Sequence, residues 1–305
     1  MSFDLLIEKI REKNNPTVMG LDPVLNYIPA QIKKRALAEY SDDFKAAGEA
    51  IFEFNKGLID AAAEYIPAVK PQSAFYEMYG IDGLIALEKT IAYAKAAGLY
   101  VILDVKRNDI GSTAEAYARA YLGETELFGA KKSATPVDCV TVNPYLGIDG
   151  VKPFVDICNE RDKGIFILVK TSNKSSGDFQ DLMVGDKPLY RHVADKVNEW
   201  GSDSISNGYS CCGAVVGATY PSQLAELREA LPNTFFLIPG YGAQGGTAKD
   251  IACAFDRHRL GAIVNSSRGL MCAYQKAGDD GRNFKACTRD AVIAMRDDIN
   301  AEIGG

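Results

Sequence analysis

The chain has 305 residues, 47% of them hydrophobic and 24% charged, with a formal net charge of -6. That length and apolar content supply a sizeable core, while the acidic balance argues against a nucleic-acid partner, which calls for surplus Lys and Arg. No apolar run approaches the ~20 residues needed to span a bilayer, so no membrane partner is expected.

In chain order, Ser2-Phe3-Asp4-Leu5-Leu6-Ile7-Glu8-Lys9 sets acids among apolar residues and predicts an amphipathic helix, not a signal peptide. The seven cysteines form no CxxC pair and no zinc-like spacing with His192 and His258. Reduced thiols and a cytoplasmic location are expected. Candidate strands follow at 17–21, 68–70, 100–104, 139–142, 165–169, 214–217, 235–238 and 262–265. Several are nearly continuous apolar runs, the pattern of parallel strands covered on both faces. Helical spacing lies between them: Ile81, Leu84, Leu87, Ile91 and Ala94 share one face of 81–97, and Val292, Met295, Ile299 and Ile303 share one face of 291–303. Eight strands, each followed by a helical segment, predict an α/β fold: a single (β/α)8 TIM barrel over residues 1–305 with an extra N-terminal helix. A doubly wound sheet is the alternative. The surplus over a typical barrel is assigned to the N-terminal helix and to two long connections, 26–44 and 172–187. The second follows the fifth strand and reads either as a solvated loop or as a lid over a ligand.

The chemistry concentrates at strand ends. Leu103-Asp104-Val105-Lys106-Arg107-Asn108-Asp109-Ile110 ends the third strand. Asp104 and Lys106 stand two apart, so on a regular strand they share a face, and in a barrel that face looks into the active-site mouth. Taken alone, the motif is equally a salt-bridged strand end. Lys70, in Val69-Lys70-Pro71-Gln72, ends the second strand. Two lysines and two aspartates at one mouth form an alternating network in which each group stays charged, a costly arrangement if stability were its only use. Ile238-Pro239-Gly240-Tyr241-Gly242-Ala243-Gln244-Gly245-Gly246-Thr247 lies between the seventh strand and a helix, and Asn265-Ser266-Ser267-Arg268-Gly269 ends the eighth. Glycines let backbone approach a ligand, and Arg268 offers a planar fork to phosphate oxygens. These two loops are the customary phosphate site of the barrel. Gly20-Leu21-Asp22-Pro23 ends the first strand. Asp22 there reads as an acceptor for sugar hydroxyls or as an Asx-turn before Pro23.

Asp104-Val105-Lys106-Arg107-Asn108-Asp109-Ile110 resembles the signature of the orotidine monophosphate decarboxylases. Gly20-Leu21-Asp22-Pro23, Lys70-Pro71-Gln72, Pro239 through Gly246 and Ser267-Arg268-Gly269 occur in that family's order, and the length resembles its longer branch. The resemblance implies a cofactor-free conversion of orotidine monophosphate to uridine monophosphate in pyrimidine biosynthesis. Lys70, Asp104, Lys106 and Asp109 would be its charged tetrad and Lys106 its proton donor. It also implies a homodimer in which Asp109, Ile110 and Thr113 reach the neighbouring subunit's site. Gln244 and Arg268 would hold the phosphate, with further substrate contacts at Pro239, Gly240, Gly245 and Ser267. Asp22 would hold the ribose. Ser172, or Thr171 beside it in Lys170-Thr171-Ser172-Asn173, would read the pyrimidine. Two other readings use the same motifs: a Mg-dependent keto-sugar phosphate decarboxylase, which needs additional acids to hold its metal, and a non-catalytic nucleotide-binding barrel. A sensor of the second kind gains little from acids stacked beside an anionic ligand.

Overall fold

The structure is a computed structural model that describes residues 3–242 and 245–304. Eight parallel strands close into a barrel: β1 (Thr17–Leu21), β2 (Ala68–Pro71), β3 (Tyr100–Arg107), β4 (Cys139–Val142), β5 (Gly164–Lys170), β6 (Cys212–Val216), β7 (Phe236–Ile238) and β8 (Ala262–Ser266). Each pairs with the next, and β8 pairs back on β1 through Val18↔Asn265. Closure excludes the doubly wound alternative. All eight expected strands are present, their ends displaced by at most a few residues.

Strand periodicity separates two cores. Along β3, Tyr100 and Ile102 point into the barrel, while Val101 and Leu103 point out to the helices. Val18, Ala68, Phe166, Leu237 and Ile263 also point inward. The predicted N-terminal helix, Asp4–Lys13, closes the floor of this interior. Leu6, Ile7 and Ile10 recur at helical spacing and are buried there, and Phe3 stacks on Phe235 with ring centroids 5.3 Å apart. Burying such side chains contributes roughly 1.5–3 kcal/mol each. The floor is therefore apolar, and the polar inward residues collect at the opposite, C-terminal end of the strands. The final helix, Phe284–Glu302, buries Val292, Met295 and Ile299 as its periodicity predicts.

Two expectations need correction. The 26–44 connection is not merely a long link, because Ala30–Glu39 is a helix. Only Ile32 and Ala36, four apart, are buried along it, too sparse a stripe to be seen among the charges of that segment. The helix Gly80–Ala96 buries Leu87, Ile91 and Ala94, but Ile81 and Leu84 on the same predicted face are exposed. No helix among the described residues is long and apolar enough to cross a membrane.

Candidate active site

Asp104 is the third inward residue of β3, after Tyr100 and Ile102, and it is 6% exposed. Its Oδ2 accepts from Lys70 Nζ at 2.9 Å and its Oδ1 from Lys106 Nζ at 2.6 Å. The Thr141 hydroxyl on β4 donates to the same Oδ1 at 2.8 Å. Burial works to raise the Asp104 pKa, but the two ammonium groups overcome it and hold the carboxyl far below the usual carboxylate range. Burial likewise opposes the charge on Lys70, yet Asp104 and Asp22 together raise its pKa. Lys70 is 5% exposed, whereas the Lys106 side chain is 45% exposed at the rim.

The convergence of Asp104 and Lys106 was expected, but not the means. The β3–β4 register slips between Leu103 and Arg107, and Lys106 adopts φ 46°. A bulge, not regular alternation, aims Lys106 at Asp104.

Asp22 follows β1 and is half-buried. Its Oδ1 has no hydrogen-bond partner among the described residues. Beyond β5, the Thr171 hydroxyl is engaged by Gln180 at 2.8 Å and Asn173 at 2.6 Å. The Ser172 backbone packs against Gly217, where a Cβ would come within 2.8 Å of Ser172 Cα. The Ser172 hydroxyl makes no hydrogen bond among the described residues. Lys170, a strand-end lysine that alternation would aim into the barrel, is turned outward. The β5–β6 register shifts between Leu168 and Lys170, and the ammonium lies 2.7 Å from Asp181 and 4.6 Å from the Tyr220 ring centroid. With Thr171 N donating to Gln180 Oε1 at 2.9 Å, this ties the 172–187 loop to its own stem. The loop contains a short hairpin, Met183–Val184 with Lys187–Pro188, and lies at the barrel's C-terminal end.

The two loops expected to bind an anion sit side by side, because β7 and β8 are neighbours. The described residues of the first loop fold back on one another: Gly246 N donates to Gly240 O at 3.1 Å and Gly242 N to Gly246 O at 2.8 Å. Tyr241 props it from outside, donating its hydroxyl to Asp298 of the final helix at 2.5 Å. Pro239 is half-buried, Gly240 buried and Gly245 exposed. Gln244 lies outside the described residues. A Cβ at Gly20 would stand 1.9 Å from Ser267 Oγ, so only glycine lets the Ser267 hydroxyl lie over β1. Arg268 is exposed, forms no ion pair among the described residues and borders a cavity of about 1100 Å³ shared with Tyr241 and Ser266.

Asp109 is not brought to the charged cluster of its own chain. Its carboxylate accepts from the adjacent Ile110 N–H at 2.8 Å and forms no ion pair among the described residues. Ile110 and Thr113 are exposed beside it. Among the described residues, no group of three or more His, Cys, Asp or Glu side chains is placed to hold a metal ion.

Comparison with known proteins gives this geometry a context. A sequence model described as "Orotidine 5'-phosphate decarboxylase / HUMPS family" matches residues 46–278. The orotidine 5'-phosphate decarboxylase of Caldicellulosiruptor bescii is 46% identical over 301 residues, covering 98% of each chain. The one from Rhodopirellula baltica is 45% identical over 288 residues, covering 93% of each. The solved structure of Leishmania donovani OMP decarboxylase superposes with a TM-score of 0.76 at 34% identity over 100% of both chains. Leishmania donovani UMP synthase aligns with a TM-score of 0.77 at 35% identity, over 99% of this chain and 56% of that longer one. With a match of that length and relatives aligned over nearly their whole extent, the chain belongs to the orotidine 5'-phosphate decarboxylase / HUMPS family.

Proposed function

We propose that this enzyme decarboxylates orotidine 5'-monophosphate to uridine 5'-monophosphate, with Lys106 as the proton donor and no cofactor. The observation that carries the reading is a buried carboxylate, Asp104, bracketed by two lysines at 2.9 and 2.6 Å in the mouth of a barrel. Loss of CO₂ breaks the bond at C6 and leaves the electron pair on that carbon, where the ring does not readily delocalise it. Stabilisation must then come from fixed charges. The Lys106 ammonium stabilises the developing carbanion and transfers a proton to C6. Asp104, kept anionic by its lysines, stands against the departing carboxylate, and their repulsion is relieved as neutral CO₂ forms. The ammonium contribution is the larger in this reading, since ground-state repulsion is the weaker lever.

Binding remote from C6 supplies the energy that holds such an array together. Arg268, Gln244 and the glycine-rich loop are assigned to the phosphate, and Asp22 to the ribose. For the pyrimidine edge, Ser172 is the better reader than Thr171, whose hydroxyl is already committed to Gln180 and Asn173. Asp109, together with Ile110 and Thr113, is assigned to the site of a second copy. Its carboxylate, which forms no ion pair among the described residues, supports this, as does the apolar surface around it: the Asp109 backbone and Leu146 both lie against Gly150, and Ile110, Tyr145, Leu146 and Ile148 are 55, 85, 46 and 43% exposed.

The test is direct. Orotidine monophosphate is added to purified protein in the presence of a metal chelator, and orotate absorbance is followed. Steady loss of the orotate band is expected. Binding without turnover would favour a nucleotide sensor, and activity that the chelator removes would favour a Mg-dependent relative.

A further inference from the structure

We infer that Thr141 is a positioning residue for the reaction: its hydroxyl holds the bulge that brings Lys106 onto Asp104. The inference rests on the proposed decarboxylation and deepens it.

Across the β3–β4 pairing, Leu103 faces Val140 and Arg107 faces Val142, so four steps on β3 oppose two on β4. The extra chain is the segment that carries Asp104, Val105 and Lys106. A bulge of this kind leaves backbone N–H groups without ladder partners, and buried N–H groups must find acceptors. Here one atom serves two of them. Thr141 Oγ1 accepts from Val105 N at 3.0 Å and from Lys106 N at 2.9 Å. With both lone pairs so occupied, its single hydrogen has one role left, and it is donated to Asp104 Oδ1 at 2.8 Å. That oxygen also receives the Lys106 ammonium. Thr141 is 1% exposed, so water does not replace it.

One hydroxyl therefore fixes three things together: the left-handed backbone of Lys106, at φ 46°, the rotation of the Asp104 carboxylate, and the spacing between the two charged tips. Lysine has no side-chain preference for that backbone region, so the conformation persists because the surroundings impose it. Thr141 does not reach the substrate itself in this scheme. It acts through Asp104 and Lys106.

The test compares Thr141→Val, which keeps the shape and removes the hydroxyl, with Thr141→Ser, which keeps the hydroxyl. With wild-type turnover as the reference, Thr141→Val should lower kcat by about 10²-fold, the scale expected for displacement of a reacting group by an ångström. Affinity for uridine monophosphate should stay close to wild type. Thr141→Ser should restore most of kcat. The low-pH limb of kcat in Thr141→Val should move to higher pH, because Asp104 loses a donor. Crystal structures of both variants give an arm independent of activity. Lys106 should leave the left-handed region in the Val variant and keep it in the Ser variant. If Thr141→Val does not fold, Thr141→Ser decides: near-wild-type kcat with Lys106 kept in the left-handed region supports the inference, and a serine variant that folds but loses about 10²-fold in kcat overturns it. Wild-type kcat in Thr141→Val, or an unchanged Lys106 backbone, also overturns it. Inactive wild-type protein would sink the proposed reaction instead, leaving the backbone comparison to judge Thr141.

Discussion

Replacing Asp104 with alanine should lower folding stability by about 3–5 kcal/mol at neutral pH, the usual cost of stripping a buried charge of its partner. The charge left behind is Lys70, 5% exposed and 2.9 Å from the missing carboxylate. Lys106 contributes little to the loss, because its side chain is 45% exposed and water screens it. Asp22 remains as the second acid acting on Lys70, which places the loss toward the lower end of the range. The pH dependence carries the sharper test. In the wild type the folded-state pKa of Lys70 is raised. Its stabilisation is complete below the unfolded lysine value of about 10.4 and is lost only as pH rises through the higher folded value. In Asp104→Ala the largest influence on Lys70 is burial, which Asp22 alone does not offset, so the folded pKa falls below the unfolded one. The unfolded chain then binds more protons, and the variant gains stability as pH climbs toward about 10.4. Urea unfolding of both proteins at pH 7 and pH 10 measures this difference, with the other lysines cancelling in the comparison. The stability gap should narrow at pH 10. A gap that holds or widens would refute the claim that the stranded Lys70 charge causes the loss.

Three further outcomes follow from the assignment of roles. Lys106→Ala should lose most of kcat while uridine monophosphate still binds in a calorimetric titration; near-normal turnover would remove Lys106 from its role. Arg268→Ala should raise KM for orotidine monophosphate far more than it affects phosphate-free orotidine, and equal losses on both substrates would count against the phosphate assignment. Mixing Lys106→Ala with Asp109→Ala protein under conditions of subunit exchange should regain activity through one intact shared site, whereas confirmed mixed dimers without activity would argue that the site is not composite.

The barrel was legible because its strands are short, apolar and rich in Val, Ile and Leu, a composition that few other elements of this size share. The charged tips at Lys70, Asp104 and Lys106 were legible from where they fall along those strands. What escaped the sequence lies in broken regularity. Alternation aims Lys170 into the barrel, and a register shift turns it onto Asp181. Alternation predicts Lys106 beside Asp104, but what brings it there is a bulge that no residue type announces. Thr141 was invisible as a polar participant, since in Cys139-Val140-Thr141-Val142 it reads as one more β-branched strand former. The 30–39 helix escaped because its buried stripe is two residues wide. Asp109 is a different case: nothing in spacing alone says that its carboxylate stays apart from the lysines of its own chain.

The floor of the barrel has a bearing on how this chain reaches its native state. Phe3 rests on Phe166 and Phe235, which are separated from it by much of the sequence. During synthesis the floor that Phe3 completes beside the stripe of Leu6, Ile7 and Ile10 therefore stays open until β5 and the run into β7 have emerged. Contacts of such high order are slow to form and leave sticky surface exposed meanwhile. Softening that stripe with polar replacements would trade ribosome-time aggregation against a leakier barrel base, a compromise felt far from where Lys106 meets Asp104.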